Sequence, residues 1–392
     1  MVDGDLEITR DQEQPVPRPV ADHAAGFALM SLLAETVHRG ASDLLLVAGA
    51  PPTVYTFGQW VPLDDHRLGS EEIPAIMEPV LTEVQRARLR DHCDLDFGLA
   101  LPVPGADGRD STGSVARYRV NVHYQRGTMA AAFRAIPAKV PPFERLGLPP
   151  EVRRFADFPN GLVLVTGCTG QGKSTTLAAI VDHMNRTRAA HVITIEDPIE
   201  FGFDHGTCLI EQRQIGEDSP SFASALRHVL RQRPDVILIG EMRDLETVAT
   251  ALTAAETGHL VLASLHTASA AQTLARIIDV FPPVQQMQVR TQLAASLRAI
   301  ICQILVRDQA NETLTPATEI LVATSAIRRA IRDNETHLIY AMIETGKSQG
   351  MHTLEQSLAE LVKSGRVPSQ EALAAAIDPM RLAKLTGKIE KA

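Results

Sequence analysis

Residues 161–176, GLVLVTGCTGQGKSTT, restrict what this chain can fold into more than any other stretch. Leu162 to Val165 is a short apolar run, the pattern of a parallel strand covered on both faces. Gly167 through Ser174 fits the pattern G-x-x-x-x-G-K-S/T, and Leu177, Ile180 and Val181 then follow at helical spacing. Strand, glycine loop and helix in that order are the context that a phosphate-binding loop requires. Gly167, Gly170 and Gly172 let backbone N–H groups close around phosphate oxygens, with the positive end of the helix behind them. Lys173 is expected to reach the β- and γ-phosphates, and the Ser174 hydroxyl to complete the Mg2+ shell. Cys168, Thr169, Gln171 and Thr175 occupy the remaining positions of the loop and join the expected nucleotide contacts. The stretch predicts a protein that binds a nucleoside triphosphate.

The 392 residues leave room for two or three domains around it. A net charge of −9 supplies no global basic field for DNA, RNA or anionic lipid. The four cysteines (Cys93, Cys168, Cys208, Cys302) are scattered without a C-x-x-C pair, which argues against a zinc or disulfide framework. Cys168 inside the phosphate loop favours a reducing compartment. No apolar run approaches the ~18 residues of a membrane span, and Leu293–Val306 is broken by Arg298. The start of the sequence has no charged-then-apolar signal pattern. A cytoplasmic protein is expected, reaching a membrane only through partners.

In chain order, residues 1–23 are acidic and proline-bearing and read as a disordered tail. Residues 24–136 alternate helical and strand patterns, suggesting a small α+β domain of helices on an antiparallel sheet. Ile73–Leu89 reads as one amphipathic helix, 102–114 as a flexible loop, and Arg117–Tyr124 with Thr128–Ile136 as paired strands around Gln125–Gly127. Residues 137–150 read as a linker. From 151 to 376, apolar strands at 162–165, 191–195, 236–239 and 259–265 alternate with helices, which predicts a parallel, doubly wound α/β sheet. Ser219 with Pro220 is expected to start one of those helices. Beyond Asp279 the pattern reads as mainly helical, and 377–392 as a polar tail.

Ligands bind such sheets at the carboxyl ends of the strands, where acids and histidines cluster here. Glu200 follows the strand ending near Ile195 and could hold and deprotonate a water. Glu241 follows Val236–Gly240, a place from which an acid reaches Mg2+ or its water. His259 and His266 flank one buried strand. Arg119, Arg126 and Arg134 belong to the first domain, and alone they read as a solvated sheet face.

With these motifs together, the chain resembles the type II/IV secretion ATPases, and within them the PilT-type pilus retraction motors, from about Phe27 to Ala376. The resemblance rests on the Walker A loop, the acidic box Ile195–Phe201, the Walker B segment Ile239–Thr247, the histidine box Ala254–Leu260 with Leu265–Thr267, and Ser325–Asp333. Cys168 and Gln171 stand where that family usually has Pro and Ser. The resemblance implies a PAS-like N-terminal α+β domain, then a RecA-like P-loop domain with a helical C-terminal part. It implies an ATP hydrolase assembled as a homohexamer, using ATP and Mg2+ held between the two domains. Glu200 would activate water, Glu241 support the metal, His266 sense the γ-phosphate, His259 join the site, and Arg119 and Arg126 stabilise developing charge. The implied partners are an inner-membrane pilus platform protein and a paralogous retraction ATPase, with the protein docked at the cytoplasmic face of the membrane. An accessory retraction paralogue, another secretion ATPase and, more remotely, a RecA-like nucleic-acid translocase are the alternative readings. Ala326, Ile327, Ala330 and Ile331 share one helix face, with Arg328, Arg329 and Arg332 on other sides as candidates for coupling to the pilus machinery.

Overall fold

The computed structural model describes residues 23–56, 59–102, 115–136, 140–309 and 313–387. The expected tail over 1–22 and nearly all of the 102–114 loop lie outside the described residues. The chain divides into two compact units, Met1–Ile136 and Pro137–Ala392.

In the first unit, period-two alternation builds one antiparallel sheet. Its strands are β1 (Asp43–Val47), β2 (Thr53–Thr56), β3 (Gln59–Pro62), β4 (Asp94–Pro102), β5 (Val115–Gln125) and β6 (Thr128–Ile136), in the order β3-β2-β1-β6-β5-β4. Leu44, Leu46, Tyr118, Val120 and Phe133 are buried on one face, in a common core with Leu29 and Leu33 of the helix His23–His38 and Ile73 and Met77 of the helix Glu72–Met77. The buried Tyr118 hydroxyl donates to the Leu33 carbonyl at 3.1 Å, so the phenol enters the core with its polar atom satisfied. The single helix expected over Ile73–Leu89 is two helices. A 3-10 turn containing Pro79 follows the first, and Thr82 opens the second, Glu83–His92, through a reciprocal cap with Gln85.

The second unit is a seven-stranded sheet: β7 (Gly161–Thr166), β8 (His191–Glu196), β9 (Leu209–Gln214), β10 (Val236–Ile239), β11 (Leu260–Leu265), β12 (Leu297–Asp308) and β13 (Thr313–Val322). The order is β13-β12-β7-β11-β10-β8-β9, parallel except for β13. Leu162 and Leu164 of β7 face one core with the helices Leu245–Glu256 and Ala270–Asp279. Val163 and Val165 face the other, with Leu177 and Ile180 of the helix Lys173–Thr187. Burial on both faces explains why these strands read as unbroken apolar runs, and each such side chain contributes about 1.5–3 kcal/mol by leaving water.

Three expectations change here. The chain beyond Asp279 carries the two longest strands of this unit, β12 and β13. An apolar-rich stretch such as 297–306, with Arg298 and Gln303 inside it, is compatible with helix or strand on periodicity alone, and pairing with β7 decides it. The 377–392 tail contains a helix, Pro379–Thr386, capped by Asp378 and anchored by buried Leu382. Ser221 rather than Ser219 caps the helix Phe222–Val229. Within the expected linker, Val140 and Phe143 pack on Ala178 and Ala179 of the second unit.

Candidate active site

The carboxyl ends of β7, β11, β10 and β8 lie side by side, because the register pairs Leu265 with Thr166 and Ile239 with both Ala263 and Ile195. The loops leaving those ends carry the phosphate loop, His266, Glu241 and Glu200 in turn.

Gly167 has φ +145°, and a Cβ there would strike the Gln303 carbonyl of the adjacent β12, so glycine is required on both counts. Gly172, at φ +76°, is the N-cap of the helix Lys173–Thr187. Cys168, Thr169 and Gly170 form an exposed crest, whereas Lys173 is buried. Its Nζ donates to the carbonyls of Gly167 (2.8 Å) and Cys168 (2.9 Å) and lies 3.4 Å from His266 Nδ1. Burial lowers the Lys173 pKa, while Cys168, Glu200 and Glu241 oppose that shift. Both acids named from the sequence therefore act electrostatically on the loop lysine. Ser174 and Thr175 follow on the first helical turn, half-buried, and the Ser174 hydroxyl has no side-chain partner among the described residues.

His266 Nε2 lies 3.4 Å from Glu241 Oε2, and Arg243 Nε 2.8 Å from Glu241 Oε1. With Nδ1 facing an ammonium, the ring proton belongs on Nε2, toward the carboxylate. Lys173, His266, Glu241 and Arg243 thus form one polar chain along the sheet edge. Glu200 is exposed at the end of a turn that begins with the cis peptide Asp197–Pro198. The turn is laced from below. Glu196 Oε2 accepts from the Glu200 N–H (3.5 Å), Gln214 Oε1 from the Ile199 N–H (3.1 Å) and Gln212 Oε1 from the Phe203 N–H (2.9 Å). Burial raises the pKa of Glu196, against hydrogen bonds from Thr194, Glu200 and Gln212. Gln212 and Gln214 escaped the sequence reading, and Glu196 entered it only as a member of the acidic box. The i, i+2 spacing of the two glutamines on one strand face is the only trace of their shared task.

His259 does not join this site. It precedes β11, seven residues and about 23 Å from His266 along the strand, and its Nδ1 is 3.0 Å from the Ala254 carbonyl. Its place among the nucleotide contacts is withdrawn, because a parallel strand separates its two flanking residues by the full depth of the sheet. In the first unit, Arg119 is exposed in the middle of β5, opposite Arg134, which itself pairs with Asp43 at 2.9 Å. Arg126 occupies the left-handed turn (φ 49°) between β5 and β6, about 20 Å further along the strand. The structure does not bring these two arginines together.

A family model of type II/IV secretion system proteins matches residues 144–347. The chain is 43% identical over 344 residues to the type IV pilus retraction ATPase PilT of Pseudomonas aeruginosa, covering 88% of this chain and 96% of that protein. The chain belongs to the type II/IV secretion ATPase family. It is therefore an ATP-hydrolysing enzyme of the PilT type. The type IV pilus ATPase PilU of the same organism is 37% identical, over 88% and 87% of the two chains. Among solved structures, the pilus retraction motor PilT with bound ADP superimposes with a TM-score of 0.82 at 43% identity, covering 91% of this chain and 98% of that one. The Legionella pneumophila ATPase DotB gives 0.73 at 26% identity, covering 92% and 98%. The mixed α/β architecture is thus shared across this family.

Proposed function

We propose that this chain is a pilus retraction motor that couples ATP hydrolysis to movement, assembled as a homohexamer on an inner-membrane pilus platform protein at the cytoplasmic face. The observation that carries the reading is the polar chain Lys173–His266–Glu241 beside Glu200 at the carboxyl edge of the sheet, in a protein similar to PilT along nearly its whole length.

In the proposed mechanism the crest from Gly167 to Gly172 wraps the phosphates, and Lys173 exchanges its two loop carbonyls for β- and γ-phosphate oxygens. The donors suited to Mg2+ are oxygens, the free Ser174 hydroxyl and the half-buried Glu241 carboxylate. Among the described residues no cluster of three or more His, Cys, Asp or Glu could hold a metal alone, so the ion would arrive with its nucleotide. When bound, Mg2+ neutralises charge on the β- and γ-oxygens. Glu200 takes a proton from the water that attacks the γ-phosphorus. The bond from phosphorus to the β–γ bridging oxygen breaks, and ADP and phosphate leave. His266, held between Lys173 and Glu241, reports whether a γ-phosphate is present. Arg119 and Arg126 serve the same nucleotide from a PAS-like first domain, as the family resemblance suggests, with the second unit acting as a RecA-like core. Rotation of one domain on the other is the mechanical output, since ATP and ADP differ in what they hold together.

Deleting the gene and restoring it with wild type or Glu200→Gln tests this. Retraction-dependent surface motility should return only with wild type, alongside ATP turnover by the purified protein. Motility that returns with the inactive variant would overturn the motor reading. It would favour an accessory role, which the similarity to PilU makes the second choice.

A further inference from the structure

The phosphate loop is held against β12 by a pair of glutamines, one in the loop and one on the strand. Cys302 pairs with Thr166 at the end of β7, so Gln303 lies beside the start of the loop, 3% exposed. Its Oε1 accepts from the Thr176 hydroxyl at 2.7 Å, and its Nε2 donates to the Gln171 carbonyl at 2.5 Å. Gln171 reaches back in turn, its Oε1 accepting from the Leu305 N–H at 2.5 Å. A Cβ at Gly172 would come within 3.1 Å of Gln303 Nε2, so strand and loop are in contact along the base of the loop. The crest Cys168–Gly170 stays exposed.

We propose that Gln303, working with Gln171, is a positioning residue for nucleotide binding, fixing the base of the phosphate loop to the helix that carries Lys173. A buried side chain must both accept and donate here, and the primary amide of Gln303 does so with two separate atoms. Thr176 lies one turn after Lys173 and Gln171 two residues before it, so one amide spans the lysine from both sides. The same hairpin also holds the neighbouring sensor segment. Glu319 of β13, next to Gln303's partner Thr318, accepts from the Ala270 N–H at 2.7 Å, where the helix after His266–Ser269 begins. The hairpin β12–β13 therefore sets the spacing of the two segments that meet at Lys173 and His266.

The inference rests on the loop's being the nucleotide site, and the test separates the two. Full-length wild type, Gln303→Leu and Gln171→Ala are compared for binding of a fluorescent ADP analogue, KM for ATP, kcat and thermal midpoint. Gln303→Leu is expected to weaken ADP binding and raise KM about tenfold, with kcat lowered less than about threefold, because Lys173, Glu200 and Glu241 remain. Gln171→Ala, which keeps the backbone carbonyl, should shift KM by about two- to fivefold in the same direction. Adding Thr176→Val to Gln303→Leu removes the hydroxyl left without its acceptor, and should recover part of the thermal midpoint without restoring KM, since the Gln171 carbonyl still lacks its donor. KM and ADP affinity within twofold of wild type in both single variants would overturn the inference, as would recovery of KM together with stability in the double variant. If Gln303→Leu fails to fold, Gln171→Ala decides alone. Wild-type protein that does not bind ADP would instead overturn the nucleotide-site reading itself.

Discussion

The two ends of the parallel sheet carry the same kinds of side chain and use them differently. At the amino end, the His191 backbone N–H donates to Asp235 Oδ2 at 2.8 Å, and its ring Nε2 lies 3.0 Å from Glu211 Oε1. Arg298 donates twice to Asn160, at 2.8 and 2.5 Å, and the ring of His259 lies 3.0 Å from a carbonyl. At the carboxyl end, His266 touches Lys173 and Glu241 only at 3.4 Å, and Lys173 is held by loop carbonyls that a phosphate can replace. Polar groups at one end are committed to neighbouring strands and turns. Those at the other are gathered around His266 at 3.4 Å and around loop carbonyls that a phosphate can replace, which is what a site that must exchange partners requires.

The largest expected effects test the carboxyl end. Lys173→Ala should abolish turnover and weaken nucleotide binding, since the buried cation of the loop is lost. Glu200→Gln should keep nucleotide binding while kcat falls by roughly 10²–10⁴, the usual worth of a general base. Equal loss of binding in both variants, read by nucleotide titration, would remove the base role from Glu200.

The next pair sets the two ends against each other. His266→Ala should lower kcat about tenfold or more, because a hydrogen bond to a charged group is lost. His259→Ala should leave kcat within about threefold, its ring being occupied by the Ala254 carbonyl outside the site. If steady-state assays find the two variants equally damaged, the division of labour between the sheet ends fails.

This pair also shows what the sequence made legible. The four central strands, the loop and the acids after strands could be read because apolar runs and punctuating glycines carry their own geometry. His259 and His266 look alike beside one strand, and only the strand's length parts them. β12 was hidden in an apolar run whose period is ambiguous. Gln212, Gln214 and Gln303 hold the site's turns through neutral amides, which leave no charge signature and, for Gln212 and Gln214 alone, only an i, i+2 spacing. By its place off the apolar face, Arg328 reads as a candidate for coupling to the pilus machinery. In the structure it donates to the carbonyls of Ala294, Ala295, Leu297 and Ala323 at 2.6–3.0 Å, closing the end of the helix Pro283–Ser296. Ala326, placed with the apolar face, is exposed, and Ile327, Ala330 and Ile331 alone are buried.

Arg328→Ala should therefore destabilise the protein by about 2–4 kcal/mol, since several helix-end carbonyls lose their donor together. Arg332→Ala, an exposed residue of the same helix, should change stability by less than about 0.5 kcal/mol. Arg329, paired with Asp333 at 3.2 Å on the surface, belongs with Arg332. Denaturant melts of the variants decide this. A silent Arg328→Ala would return that residue to the set available for partner contacts.

The smallest effect concerns pH and the hairpin that frames the site. Glu319 is buried, and burial with some help from Glu355 raises its pKa to about 7, against the hydrogen bond from Ala270. The folded protein therefore holds this proton more tightly than the unfolded chain does. The stability it confers is complete below the ordinary carboxyl range near 4.5 and is lost as pH rises through about 7. Between pH 6 and pH 8 this group alone should cost about 1 kcal/mol. Glu319→Gln keeps an acceptor for the Ala270 N–H and has no proton to lose, so its urea midpoint should fall less than that of wild type over the same interval. At pH 8 the variant should match or exceed wild type, because the buried charge is gone. Identical pH slopes in the two proteins would mean that Glu319 is solvated when ionised. The anchoring of the segment after His266 by β13 would then be looser than the 2.7 Å contact suggests.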